Sequence, residues 1–275
     1  MRIDAEAAEK YGLAVPKGVE LPFCIARYPV TNAQYERFLR SADFADPQFW
    51  IGFTRFDEES QPMKNDWGDE GWRWLQGALK DRGISPDSKR LYPRYWSDPR
   101  FGIARRGVPV IGITWYEASA YCRWLLRLWE GLEEGLENPG WKPLTLRLPT
   151  EAEWALAAGG DEDDRRYPWD PAGQLTTAEA EIICRANVYE SQIGRTTPVG
   201  MYPLGASWPF VLWDLASNVH EWQANYSSTS HDYLSFRGGS WGHSHEVART
   251  ARRFSVALPS YPWNHDGFRV VAFPS

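Results

Sequence analysis

Cysteine is scarce. The 275 residues contain three, Cys24, Cys122 and Cys184, widely spaced and with no Cys-x-x-Cys pair. That excludes a zinc ribbon and argues against a disulfide framework. Positive charge is in deficit as well: 30 Lys and Arg stand against 36 Asp and Glu, a net charge of −6. The chain as a whole is therefore not built to bind a polyanion such as nucleic acid. No apolar run approaches the roughly 18 residues needed to cross a bilayer. The opening Met1-Arg2-Ile3-Asp4-Ala5-Glu6 is charged and lacks the apolar core of a signal peptide. These absences set the expectations of a reduced, cytoplasmic setting, a monomer, and neither membrane nor nucleic acid as a partner.

Tryptophan, by contrast, is abundant. Sixteen residues are Trp, and aromatics make up 15% of the chain. Each buried aromatic withdraws on the order of 150–250 Å² from water, so such a chain can be stable with little regular structure. The sequence carries 24% charged and 43% hydrophobic residues, a globular profile rather than a disordered one.

Three helix starts are readable. Thr31-Asn32-Ala33-Gln34, Thr114-Trp115-Tyr116-Glu117 and Thr150-Glu151-Ala152-Glu153 each fit the capping box, in which a threonine hydroxyl and an acid or amide three residues on satisfy each other's orphan N–H groups. After the second, Trp115, Ala118, Cys122, Leu125 and Trp129 trace one helical face, which makes Cys122 a small apolar core residue. Gly159-Gly160 stops the third. The aromatic-rich segment 43–105 is too long for a structureless loop and is expected to fold back and pack, with a short helix near Gly71 to Leu79. The acidic run Asp161-Glu162-Asp163-Asp164 is expected to be a solvated loop. Strand candidates are Thr197–Gly200, Val211–Leu215, Phe236–Trp241 and Gly267–Phe273. Helices early and strands late argue for an α+β fold with a turn-rich second half, and the lack of a linker or repeat for one domain over 1–275, with 1–20 as a lead-in.

Several blocks resemble the formylglycine-generating-enzyme (sulfatase-modifying factor) domain. They are Arg27-Tyr28-Pro29-Val30-Thr31-Asn32-Ala33-Gln34-Tyr35, Pro109 to Ala118, Arg147-Leu148-Pro149-Thr150-Glu151-Ala152-Glu153-Trp154, Asp214 to Trp222, Arg237-Gly238-Gly239-Ser240-Trp241 and Gly267-Phe268-Arg269-Val270. They occur in the family's order from about residue 21 onward. The resemblance implies a C-type-lectin-like fold: two principal helices, small antiparallel sheets and long irregular loops. The family contains copper-dependent oxidases, iron-dependent sulfoxide synthases and non-enzymatic display proteins, so fold does not settle function.

The oxidase's copper is held by two cysteines just after the Gly-Gly-Ser-aromatic block, since thiolates are the soft ligands Cu(I) prefers. Here no cysteine follows Cys184, so no copper and no catalytic residue of that kind is expected. His243-Ser244-His245 would put two rings on one face if it lay on a strand, an arrangement metals use, but no third ligand is placed by the sequence. The open alternative is a pair of solvent-facing loop histidines.

Between Trp241 and Gly267 the asparagines typical of the family give way to a mixture: Gly242, His243, Ser244, Phe254, Ser255, Val256, Ser260, Tyr261 and His265. This mosaic is similar to the variable proteins of diversity-generating retroelements, in which the adenines of AAC codons are randomised. Changing the first two bases of AAC cannot yield Trp, Lys, Gln, Glu or Met, and none of these residues is among the nine. Glu246 and Trp263, in the same stretch, are of those unreachable types and are assigned to the fixed scaffold. The nine residues are the expected ligand-binding set, within a variable region 237–271, and a protein is the expected ligand, with Phe254 and Tyr261 as anchors. The alternative is a metal-dependent oxidoreductase of the same superfamily. Within Arg237 to Arg269 five arginines outnumber Glu246 and Asp266. Of these, Arg249 and Arg269 are expected to pair with buried carboxylates.

The resemblance also implies structural calcium. Glu221, with the Ser217 and Val219 carbonyls, matches one site; Asn187, Val188 and Ile193 match a second, where the family's Asp falls on Ser191. The open alternative for Glu221 is a hydrogen-bonded core carboxylate. The sequon Asn225-Tyr226-Ser227 carries no weight without a secretion signal.

Overall fold

A computed structural model describes all residues except 83–89, 134–141, 161–165, 172, 228–229 and 275, with side chains at 131–133, 230–232 and 255–256 also outside the description. The acidic run Asp161–Asp164 lies outside the described residues. Helices in chain order are α1 (Ala5–Lys10), α2 (Asn32–Arg40), α3 (Glu70–Asp81), α4 (Trp115–Glu133), α5 (Glu151–Ala157) and α6 (Glu179–Ile183). Strands are β1 (Arg2–Ile3), β2 (Phe23–Ile25), β3 (Thr54–Phe56), β4 (Pro62–Asp66), β5 (Pro143–Arg147), β6 (His220–Ser227), β7 (Ser230–Arg237), β8 (Phe254–Ala257), β9 (Asp266–Gly267) and β10 (Val271–Pro274).

All three capping boxes form. Thr31 and Gln34 open α2, and Thr150 and Glu153 open α5. At α4 the Glu117 carboxylate accepts from the Thr114 N–H at 2.8 Å and its hydroxyl at 2.9 Å. Cys122 is buried on α4, and burial pushes its thiol pKa up, as expected of a core residue. The helix expected near Gly71 is α3, so the architecture has a third sizeable helix beyond the two principal ones.

Two small sheets carry the fold. One is antiparallel, in the order β1-β2-β10-β5. The other runs β4-β3-β6-β7-β8 and is mixed, because β3 and the short β9 both pair with β6 in parallel. The aromatic excess fills the core around them. Trp50, Trp115, Trp154 and Trp222 are fully buried, and each indole N–H donates inside the protein: to Phe44 O, Gln223 O, Glu221 Oε2 and Ile113 O. Buried indoles need such partners, and here β6 supplies two of the four.

The strand expectations fare less well. Thr197–Gly200 and Val211–Leu215 are turns; Val211 and Asp214 have φ of 56° and 64°, a left-handed backbone that cannot continue a strand. The run Phe236–Trp241 stays extended only to Arg237, because Gly238 turns at φ 84°. Gly267–Phe273 is split between β9 and β10. β6, which was not expected, is the central strand, and its eight residues are all buried.

Two arginines are wholly buried. Arg269 grips Glu221 with Nε and Nη2, both at 2.6 Å, and donates to the carbonyls of Ala26 and Trp213 at 2.9 Å. Arg237 pairs with Glu151 at 2.9 Å. Arg249 departs from expectation. It pairs with the half-exposed Glu246, three residues before it on the surface turn, and Arg237 takes the buried role instead.

Breaking a buried pair strands a charge and costs about 3–5 kcal/mol. Arg269→Ala is expected to lower unfolding free energy by that amount in urea titrations, whereas Arg249→Ala stays within about 0.5 kcal/mol. Glu117 gives a pH prediction. Burial raises its pKa to about 7, so its contribution to stability is complete below the unfolded value and is lost as pH rises through 7. Glu117→Gln keeps the acceptor for Thr114 and removes that loss. Its melting temperature should match wild type near pH 4 and exceed it at pH 8.

Candidate metal and ligand site

β6 sets the site by strand alternation. His220 and Glu221 are adjacent and point to opposite faces. Glu221 enters the core toward Arg269, and His220 faces a cavity of 260 Å³. The parallel pairing of β6 with β9 registers His220 against Asp266, and the His220 N–H donates to His265 O at 2.8 Å. That places His265 and Asp266 beside His220.

The third segment arrives through Gly238-Gly239. A Cβ at Gly238 would stand 2.4 Å from Leu215 O, and one at Gly239 2.3 Å from Ala216 O, so only glycine lets the chain pass there. The turn then runs over His220. The Trp241 indole donates to Asn264 O at 3.1 Å and fixes this turn to the β9 approach. His243 thereby reaches the cavity, its Nδ1 3.1 Å from His220 Nε2 and 2.7 Å from Ser240 Oγ. β8 supplies a wall: the Phe254 ring lies 4.5 Å from the His220 ring.

The three histidines offer ring nitrogens that all lie within 4.8 Å of one another. His220 Nδ1 is tied to Gly238 O at 2.7 Å, so it carries the proton and leaves Nε2 as a lone pair toward the cavity. His265 Nδ1 meets Asn264 Oδ1 at 3.0 Å, and its Nε2 lies 3.6 Å from Asp266 Oδ1. Burial lowers all three imidazole pKa values, His265 to about 4, with the neighbouring histidines adding to the effect at His220 and His265. At neutral pH the cluster is uncharged. Asp266 is buried beside it, pushed up by desolvation, and its Oδ2 has no partner.

Of the nine residues expected to bind ligand, His243, Phe254 and His265 share this cavity. Tyr261 stands exposed at its edge, its ring 4.8 Å from that of Trp263, which lines the cavity. Trp263, assigned to the fixed scaffold from its codon, thus belongs to the same surface. Gly242 and Ser260 are exposed elsewhere on these loops. Ser244 accepts from the Glu246 N–H and caps a short 3-10 turn. Ser255 and Val256 lie on β8, and their side chains lie outside the described residues.

His243 and His245 do not share a face. The chain there is a turn running into a 3-10 helix rather than a strand, and His245 packs instead against the Tyr167 hydroxyl at 2.9 Å. Sequence reading missed His220, inside the Asp214–Trp222 block, and expected His265 only as a ligand-contact residue, not as a neighbour of His220 and His243.

The calcium positions divide. Glu221 already accepts three hydrogen bonds, from Trp154 and twice from Arg269, which neutralises its charge. The Ser217 carbonyl accepts from Val219 N–H at 2.7 Å. That arrangement is the hydrogen-bonded core carboxylate, and it does not fit a cation. At the second position Asn187 Oδ1 is buried without a partner, an oxygen of the kind calcium takes. Ser191, in place of an acid, bonds Val188 N–H and Ala186 O.

Elsewhere a cavity of 340 Å³ opens between α4 and β5, lined by Phe53, Arg123 and Arg147 among others, and holds none of the expected residues. The cysteines lie in three different elements: β2, α4 and the end of α6. Among the described residues no helix is long and apolar enough to cross a membrane.

Comparison with known proteins places the fold. The chain is 26% identical over 262 residues to inactive C-alpha-formylglycine-generating enzyme 2 of Bos taurus, covering 91% of this chain and 77% of that protein. It is 28% identical to hercynine oxygenase of Mycolicibacterium smegmatis, covering 86% of this chain but only 50% of the oxygenase. The structure of PvdO from Pseudomonas aeruginosa shares the fold, with a TM-score of 0.52, 20% identity, and coverage of 91% of this chain and 80% of PvdO. The family model for the sulfatase-modifying factor enzyme 1-like domain matches residues 4–273, and the chain belongs to that family.

Proposed function

We propose that the domain is a ligand-binding display protein that uses the loops of residues 241–265 as its recognition surface. The observation that carries the reading is convergence. Residues flagged from three separate stretches, His243, Phe254 and His265, line one cavity with Tyr261 and Trp263 beside it. Exposed Tyr and Trp on a rigid frame give large contact area at low ordering cost, which suits a protein ligand. The frame beneath is fixed by the Trp241 indole's bond to Asn264 O and by the buried Glu221–Arg269 pair. A family relative described as inactive supports a non-catalytic use of the domain. Calcium, where bound, would be held by Asn187 Oδ1 with the Val188 and Ile193 carbonyls, and would stiffen the turn beside the Trp241 loop.

A metal-dependent oxidoreductase remains the second reading, and the observation in its favour is the histidine cluster in the same cavity.

The DNA beside the gene separates the two. Display by diversification requires a near-identical copy of the segment encoding 237–271 that differs at adenines. Its absence, together with turnover of a thiol peptide by the metal-loaded protein, overturns the display reading. At the protein level, varied positions must tolerate change. A Cβ at Gly242 meets nothing within 4 Å, and Ser260 and Tyr261 are exposed. Gly242→Ala, Ser260→Ala and Tyr261→Ala should each change unfolding free energy by less than about 0.5 kcal/mol in denaturant titrations. A loss of several times that at all three would show that the loops are part of the fold's support.

A further inference from the structure

We infer that His220, His243 and His265 form a binding site for a divalent transition-metal ion of the Zn2+ class, with Asp266 at its edge and the remaining coordination positions open to the cavity. This inference concerns the chemistry of the cavity and holds under either functional reading.

The first argument is spacing. Zn–N bonds run about 2.0–2.1 Å, so two nitrogens on one ion lie roughly 3.0–3.4 Å apart for angles between a right angle and the tetrahedral value. His220 Nε2 and His243 Nδ1 are 3.1 Å apart, and His265 brings its nitrogen within the same 4.8 Å envelope. Three imidazoles from three chain segments reach one point, and two are held from behind through their Nδ1 atoms: Gly238 O fixes His220 and Asn264 Oδ1 fixes His265, while Ser240 Oγ meets His243 at the Nδ1 that faces His220. Partners of that kind set the tautomer and aim of metal-ligating histidines.

The second argument counts protons. His220 Nε2 and His265 Nε2 both present lone pairs, because the Nδ1 proton of each is used elsewhere. Asp266 adds Oδ1 at 3.6 Å from His265 Nε2 and a buried Oδ2 with no donor. The partners these groups have are one another, the Ser240 hydroxyl at His243 Nδ1 and the buried Asp266 carboxyl. Acceptors that face one another in a buried cavity are costly, and a cation between the ring nitrogens satisfies them together. Neutral imidazoles suit zinc and its first-row neighbours rather than calcium or magnesium, which take oxygen.

The test uses the full chain, free of any affinity tag, stripped with chelator and reloaded with Zn2+ or Co2+. Metal content after gel filtration should be one ion per chain, and the Co2+ form should show visible ligand-field bands. His243→Ala and His265→Ala, both at half-exposed positions, should keep the wild-type melting temperature in the stripped form and weaken Zn2+ binding by at least about a hundredfold, beyond the roughly 10–100-fold of losing an outer partner. His245→Ala, which removes a histidine outside the cavity, should bind as wild type. Zinc well below one ion per chain in the wild type overturns the site. So does full zinc content retained by the His243→Ala/His265→Ala double variant, which would put the ion elsewhere. Because the readout is bound metal, failure here leaves the tolerance of Gly242, Ser260 and Tyr261 to report separately on the display reading.

Discussion

The buried pair between Glu221 and Arg269 is the constraint on which the rest of the structure depends. Two charges without water are expensive, and only dense hydrogen bonding makes such a pair tolerable. Here Arg269 bonds both carboxylate oxygens and two main-chain carbonyls, while Trp154 donates to the same carboxylate. Five parts of the chain meet at this point: β6, the segment after β9, α5, and the loops at Ala26 and Trp213. Because strand side chains alternate, the pair also fixes the register of β6. A slip of one residue would bury His220 where Glu221 belongs and turn the carboxylate toward the cavity. The face that builds the cavity is therefore specified by the core contact on the other side of the same strand.

Tryptophan divides along the same line. Trp115, Trp154 and Trp222 are buried pins whose N–H groups hold loop and strand carbonyls or the Glu221 carboxylate. Trp241 is a tie between two loops. Trp263 is half-exposed and faces the cavity. The aromatic content thus makes a rigid frame from little regular structure, with a small remainder left at the surface the frame supports.

What the sequence disclosed follows the range of the forces involved. Capping boxes act within four residues, and all three helix starts were readable. The site blocks around Trp154, Trp222 and Trp241 were readable through their family pattern. β6 was not, because all eight of its residues are buried and its polar members, such as Gln223 and Asn225, break any alternation. Val211–Leu215 looked like a strand by its apolar content, but its buried leucines are presented from a left-handed turn. The histidine cluster was the least legible feature. His265 joins His220 through a parallel pairing across more than forty intervening residues, and His243 joins them through a glycine turn whose direction depends on backbone contacts with Leu215 and Ala216. Reading His243 with His245 failed for the matching reason: adjacency in sequence predicts a shared face only where the backbone is extended.

The antiparallel sheet places β10 between β2 and β5, with Val271 opposite both Ile25 and Arg147. β2 therefore has no neighbour on its inner side until β10, roughly 245 residues later, is made. On a ribosome the β1–β2 pair, joined through α1, would wait with the β2 edge open through the synthesis of everything that builds the aromatic core. Pairings this distant in sequence are slow to form and leave sticky edges exposed meanwhile. The β2 edge is thus exposed longest during synthesis, and it is covered only when β10 inserts between β2 and β5.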